Sequence, residues 1–102
     1  AVLALALFGS VSQADKFDDV VTLLDNDDFD DHVSDNDYTL VMYFAPWCGH
    51  CKRFKPDFAE AAQALTGTAS LVGVDCTVEA DLCQRFGVSG YPTIKWFSGD
   101  VA

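Results

Sequence analysis

Six consecutive apolar residues, Leu40-Val41-Met42-Tyr43-Phe44-Ala45, end at Pro46 and run directly into Trp47-Cys48-Gly49-His50-Cys51. An unbroken apolar run bounded by a breaker reads as a strand buried on both faces, as in a parallel sheet. Downstream, Phe54, Phe58, Ala61, Ala62 and Leu65 recur at helical spacing and make one apolar stripe. A helix is therefore expected from about Cys48 to Leu65, with Pro56 kinking it and Thr66-Gly67 ending it. Two cysteines two residues apart at a strand-to-helix junction are a specific arrangement, and few architectures supply it.

The rest of the chain fits around that unit. Val20-Val21-Thr22-Leu23-Leu24 is a short β-like run. Asn26 to Asp28 offer caps for a short helix carrying Phe29 and Val33 on one face, and Asp35-Asn36-Asp37 is a turn cluster. Leu71-Val72-Gly73-Val74 reads as a second buried strand. Thr77 is suited to cap the next helix, with Glu79 and Asp81 in its first turn, Leu82 and Phe86 on its apolar face and Gly87 stopping it. Ser89-Gly90-Tyr91-Pro92 is a loop, and Thr93-Ile94-Lys95-Trp96-Phe97 is a last strand. The order β-α-β-α-β-α-β describes one α/β layered domain, which the 102-residue length also favours.

Charge narrows the function classes. Asp plus Glu number 16 against 6 Lys plus Arg, a net charge of -10. Such a chain repels phosphates, which makes it a poor candidate for binding nucleic acid and disfavours anionic membrane surfaces. Ten aspartates lie between Asp15 and Asp37. Asp25 and Asp27 have the alternate spacing of a calcium loop, but the next alternate position is Phe29 and the required glycine is missing. A solvated acidic face is the better reading, and no metal site is expected.

The two ends carry their own signals. Ala1 to Phe8 are all apolar, and Ser12 and Ala14 suit the small-residue positions of a cleavage site. Residues 1–14 are therefore read as the remnant of a secretory signal cut before Asp15, and residues 15–102 as the domain. An oxidising compartment follows, where disulfides persist. Ser98-Gly99 is a turn signal at which a hairpin begins, and its second strand is not in the sequence.

The chemistry concentrates at Cys48. At a helix N-terminus, unpaired N–H groups and the positive end of the dipole favour a thiolate. His50 adds positive character when protonated, and Lys52, Arg53 and Lys55 place half of the six basic residues beside the motif. Cys51, one turn along, is expected to be more buried and within disulfide reach of Cys48. A low-pKa thiolate at Cys48 attacks a disulfide to give a mixed disulfide, and Cys51 then releases it. Trp47 and Tyr91 flank the thiol and the proline loop, and are read as an apolar rim that receives unfolded polypeptide.

Ala45-Pro46-Trp47-Cys48-Gly49-His50-Cys51-Lys52 resembles the active site of the protein disulfide isomerase family. Val88-Ser89-Gly90-Tyr91-Pro92-Thr93 resembles its cis-proline loop, and Val74-Asp75-Cys76-Thr77 its third strand. The resemblance runs from about Val20 to Phe97 and is nearest to the glycoprotein-folding thiol oxidoreductase type that works with lectin chaperones. It implies a thioredoxin fold, a three-layer α/β/α domain on a mixed sheet, without the family's last strand and helix. It implies catalytic roles for Cys48, Gly49, His50 and Cys51 and a substrate-binding role for Trp47, Tyr91 and a cis Pro92. It also implies unfolded or misfolded secretory polypeptides as substrates, no cofactor, and residence in the endoplasmic reticulum lumen. Lectin chaperones would enter as partners through domains outside this sequence.

In some members of the family a pair like Cys76 and Cys83 forms a structural disulfide. Spacing alone leaves two buried free thiols, or a four-cysteine zinc site, as alternatives. One departure stands out. Many active domains of the family carry a buried Glu before the motif, paired with a Lys on the neighbouring strand; the matching positions here are Met42 and Gly73. Loss of both together avoids an unpaired buried charge and leaves Cys51 without that internal base.

Overall fold

A computed structural model describes residues 13–101. The elements run α1 (Gln13–Val20), β1 (Thr22–Leu23), α2 (Phe29–Asp35), β2 (Thr39–Phe44), α3 (Gly49–Ala64), β3 (Ser70–Asp75), α4 (Ala80–Arg85) and β4 (Thr93–Phe97). Among the described residues the sheet has the order β1-β3-β2-β4. β3 pairs in parallel with both β1 and β2, and β4 is antiparallel to β2. The thioredoxin-like α/β/α arrangement expected from the sequence is therefore present, with four strands among the described residues.

The alternation of side chains along β2 builds two cores. Val41 and Tyr43 point to one face, with Val72 and Val74 of β3, Phe29 and Val33 of α2, Leu82 of α4 and Phe97 of β4. Met42 and Phe44 point to the other, with Phe17 of α1, Cys51 and Phe58 of α3, and Leu71. A strand with both faces covered has no polar positions to spare, which is why Leu40–Ala45 is a continuous apolar run.

Four local expectations are corrected. The helix α1 was not read from the sequence, because the charged and polar residues among its eight obscure its one fully buried ring, Phe17. The first strand shrinks to Thr22–Leu23, since the residues before it close α1. Asp28 occupies the N-cap of α2 but makes no capping bond into the helix. Its Oδ1 instead accepts from the Asp25 N–H, while Asp25 Oδ1 accepts from the N–H groups of Asp27 and Asp28. This exchange keeps Asp25 in a turn and holds its carboxyl below the usual range, chiefly through the Asp28 N–H. Thr77 does not cap α4: its N–H and hydroxyl both donate to Asp75 Oδ1, and the helix starts later, after Glu79. The apolar segment 1–8 and the small-residue Ser12 lie outside the described residues.

Candidate active site

β2 ends at Phe44 and α3 begins at Gly49, so the connection carries Trp47 and Cys48 to the end of the sheet. Cys48 is the N-cap of α3: its backbone is extended and its Sγ accepts the Cys51 N–H at 3.2 Å. Cap side chains are normally oxygen acceptors that satisfy free N–H groups, and here a sulfur does so. Cys48 is 7% exposed and Cys51 is 0% exposed, so Cys48 is the more accessible of the two.

The two thiols are driven apart. The Cys48 thiol lies below the usual value, first through a hydrogen bond from the Cys51 thiol, then through the backbone N–H groups of Cys51 and His50 and the charge of Arg53; burial opposes them. Cys51 is pushed up to about 11, by burial first, then by its hydrogen bond to Cys48 and the charge there; the Ala45 backbone and Lys55 oppose the rise. Cys48 is thus the more readily ionised of the two sulfurs.

His50 is exposed, and its Nδ1 accepts a hydrogen bond from Arg53 Nη2 at 2.7 Å. The charge of Arg53 reaches Cys48. Arg53 is one of the basic residues that the sequence sets beside the motif, and His50 contributes its backbone N–H. A Cβ at Gly49 would meet nothing within 4 Å, so packing does not demand glycine there.

The second wall comes from the loop before β4. The Tyr91–Pro92 peptide bond is cis. The Cys48 thiol donates to the Tyr91 carbonyl oxygen at 3.6 Å. The Trp47 and Tyr91 rings meet edge to face at 5.7 Å, and Trp47 is 68% exposed. Trp47, Cys48, Cys51 and Tyr91, distant in sequence, are therefore one constellation, with Pro92 half-buried beside it. Cys76 and Cys83 stand apart from it. They belong to the core on the opposite face of the sheet and are joined by a disulfide, with Cα atoms 5.7 Å apart. No cluster of three or more metal-ligating side chains occurs among the described residues.

The model of the family described as Thioredoxin matches residues 20–101. The chain belongs to the thioredoxin family. Within the thioredoxin family its curated relatives include a protein disulfide-isomerase of Humicola insolens, 48% identical over 97 residues, covering 94% of this chain and 19% of that protein. A protein disulfide-isomerase of Oryctolagus cuniculus is 43% identical over 104 residues, covering 98% of this chain and 20% of that protein. The chain thus spans about a fifth of the length of these relatives. Among solved structures, human ERp44 form II superposes with a TM-score of 0.76 at 30% identity, covering 79% of this chain and 24% of that one.

Met42 and Gly73, where the sequence suggested a lost Glu–Lys pair, are direct partners in the β2–β3 register. Met42 is fully buried behind the cysteines. A Cβ on Gly73 would lie 2.9 Å from Leu23 Cδ2, 3.3 Å from Phe44 Cε1 and 3.5 Å from Phe17 Cζ. The space a longer side chain would need is occupied by rings. Two residues acquire a place that sequence reading did not give them: Phe17, whose signal was a lone aromatic among acids, and Lys55, grouped there with the exposed cations.

Proposed function

We propose that this chain is a catalytic domain of a protein disulfide isomerase, which forms, reduces and rearranges disulfides in folding secretory polypeptides. The single observation that carries the reading is the Cys48 sulfur: an N-cap thiol with a lowered pKa, one turn from a buried thiol held protonated. The Cys48 thiolate attacks a substrate disulfide. The substrate S–S bond breaks, one substrate sulfur leaves as a thiolate, and a Cys48–substrate disulfide forms. Cys51 loses its proton to solvent and attacks Cys48 Sγ. The second substrate sulfur leaves and is protonated, and the Cys48–Cys51 disulfide remains. The reverse sequence oxidises a substrate dithiol. Stabilising the Cys48 thiolate stabilises the reduced pair, so the oxidised pair is a good disulfide donor.

In this reading Trp47 and Tyr91 receive the apolar part of an unfolded client, and Pro92 shapes the loop that presents the Tyr91 backbone. Gly49 keeps the approach to Cys48 open, and His50 supplies an N–H to its sulfur. Cys76 and Cys83 staple β3 to α4. The relatives named protein disulfide-isomerase support the substrate class, and the apolar segment Ala1–Phe8 followed by Ser12 and Ala14 supports a secretory leader and residence in the endoplasmic reticulum lumen. A docking role for lectin chaperones belongs to the same proposal.

A peptide-holding module with little turnover is the second reading, favoured by the apolar Met42–Gly73 pair. Insulin reduction and scrambled-ribonuclease reactivation, with and without Cys48→Ser, separate the two. Activity lost in Cys48→Ser supports the enzyme; equal and low activity in both supports the holding module.

A further inference from the structure

Lys55 sits on α3 four residues after Cys51, on the same helical face. It is half-buried, with its ammonium 4.5 Å from the centre of the Phe44 ring and 4.9 Å from that of Phe17. These are the same two rings that close over Gly73. Phe17 from α1 meets Phe44 edge to face at 5.8 Å, and the two rings form the aromatic bed on which the ammonium rests. Among the residues whose side chains are described, the ammonium has no carboxylate within ion-pairing distance, and the ion pair is elsewhere, between Arg85 and Asp30.

We propose that Lys55 is a positioning residue for the second thiol, a cation fixed over Phe17 and Phe44 that stabilises Cys51 as a thiolate when Cys51 must attack. The proposal rests on the dithiol reading above. It fills the gap left by Met42 and Gly73, because attack by Cys51 requires ionisation in an apolar cluster. The charge of Lys55 opposes the rise of the Cys51 pKa caused by burial. The other groups facing Cys51 do not substitute for it. From α1 comes Phe17, with Asp18 and Asp19 exposed; from β2 come Met42 and Phe44, and from β3 Leu71. The carboxylate at the end of β3, Asp75, is engaged by Thr77. On α3 itself Cys48 raises the Cys51 pKa, so Lys55 is the cation that favours its ionisation. The step conserves its atoms: the Cys51 proton goes to solvent, the Cys48–substrate bond breaks, the Cys48–Cys51 bond forms, and the substrate thiolate departs.

The test uses dithiobis(nitrobenzoate) on the reduced chain. Attack by Cys48 releases one coloured thiolate, and attack by Cys51 on the resulting mixed disulfide releases the second. The pH midpoint of the second phase is measured in the unaltered chain, Lys55→Met and Lys55→Arg. The expected result is a midpoint raised by about half a pH unit or more in Lys55→Met and restored toward the original in Lys55→Arg. An unchanged midpoint in Lys55→Met overturns the proposal, as does a rise of equal size in Lys55→Arg. If Lys55→Met does not fold, Lys55→Gln against Lys55→Arg decides by the same criterion. Absence of a second phase in the unaltered chain instead overturns the dithiol reading, and this proposal with it.

Discussion

The Cys48 sulfur lies 3.6 Å from the carbonyl oxygen of Tyr91, forty-three positions later in the chain. That contact joins the start of α3 to the residue before Pro92, and it places the reactive sulfur between two backbones instead of on an open helix end. Under the proposed function, a substrate strand at Cys48 would lie beside Tyr91.

The division of labour between the two sulfurs gives the first expectation. With Cys51→Ser, attack by Cys48 still occurs but nothing releases the product. With a peptide that contains a disulfide, a Cys48–peptide mixed disulfide should accumulate and be visible by mass spectrometry. Cys48→Ser should form none, and rapid turnover by Cys51→Ser would contradict the assigned roles.

Trp47 is exposed while its ring edge meets Tyr91. Its removal should weaken binding of unfolded polypeptide by about 1–2 kcal/mol, roughly a tenfold rise in KM, and leave reaction with glutathione nearly unchanged. Equal losses toward both substrates would show that Trp47 serves packing and not recognition.

The bridge between Cys76 and Cys83 closes a short loop between β3 and α4. Replacing both by alanine should cost about 2–3 kcal/mol in urea unfolding, since a short closed loop limits the entropy removed from the unfolded chain. The Cys48 alkylation rate should stay the same, because the bridge lies on the opposite face of the sheet.

Gly73 and Met42 can be tested together. Gly73→Lys alone pushes a long side chain against Leu23 and the rings of Phe44 and Phe17, and buries a charge. It should destabilise by about 3 kcal/mol or more. Adding Met42→Glu supplies a partner directly across the register and should recover part of that loss without recovering the crowding. Complete recovery in thermal unfolding would show that the rings yield easily.

Much of this was legible in the sequence because the signals were local and covalent in range. The apolar run Leu40–Ala45, the helical stripe ending near Leu65 and the strand Thr93–Phe97 all appear where periodicity put them. Cys48 at a helix start followed from the same junction. What sequence could not supply was competition between polar partners. Asp75 takes the Thr77 hydroxyl that was expected to cap a helix, and Arg53 engages the His50 ring. Helix α1 was hidden for a related reason: one buried ring among polar residues makes too faint a stripe, and that ring finds its partners in Phe44 and Phe58, far along the chain. The role of Lys55 depends on that ring and was equally invisible.

The most direct measurement is the rate of Cys48 alkylation by iodoacetamide as a function of pH, with the modified residue located by mass spectrometry. A thiol whose folded pKa is lowered stabilises the folded reduced chain above its unfolded value, near 9.0, and loses that contribution as pH falls through the lowered value. The account expects Cys48 to be modified first, with a midpoint clearly below 9.0, while Cys51 stays unreacted until near pH 11. A Cys48 midpoint at or above that of an ordinary thiol, or Cys51 reacting first, would contradict it.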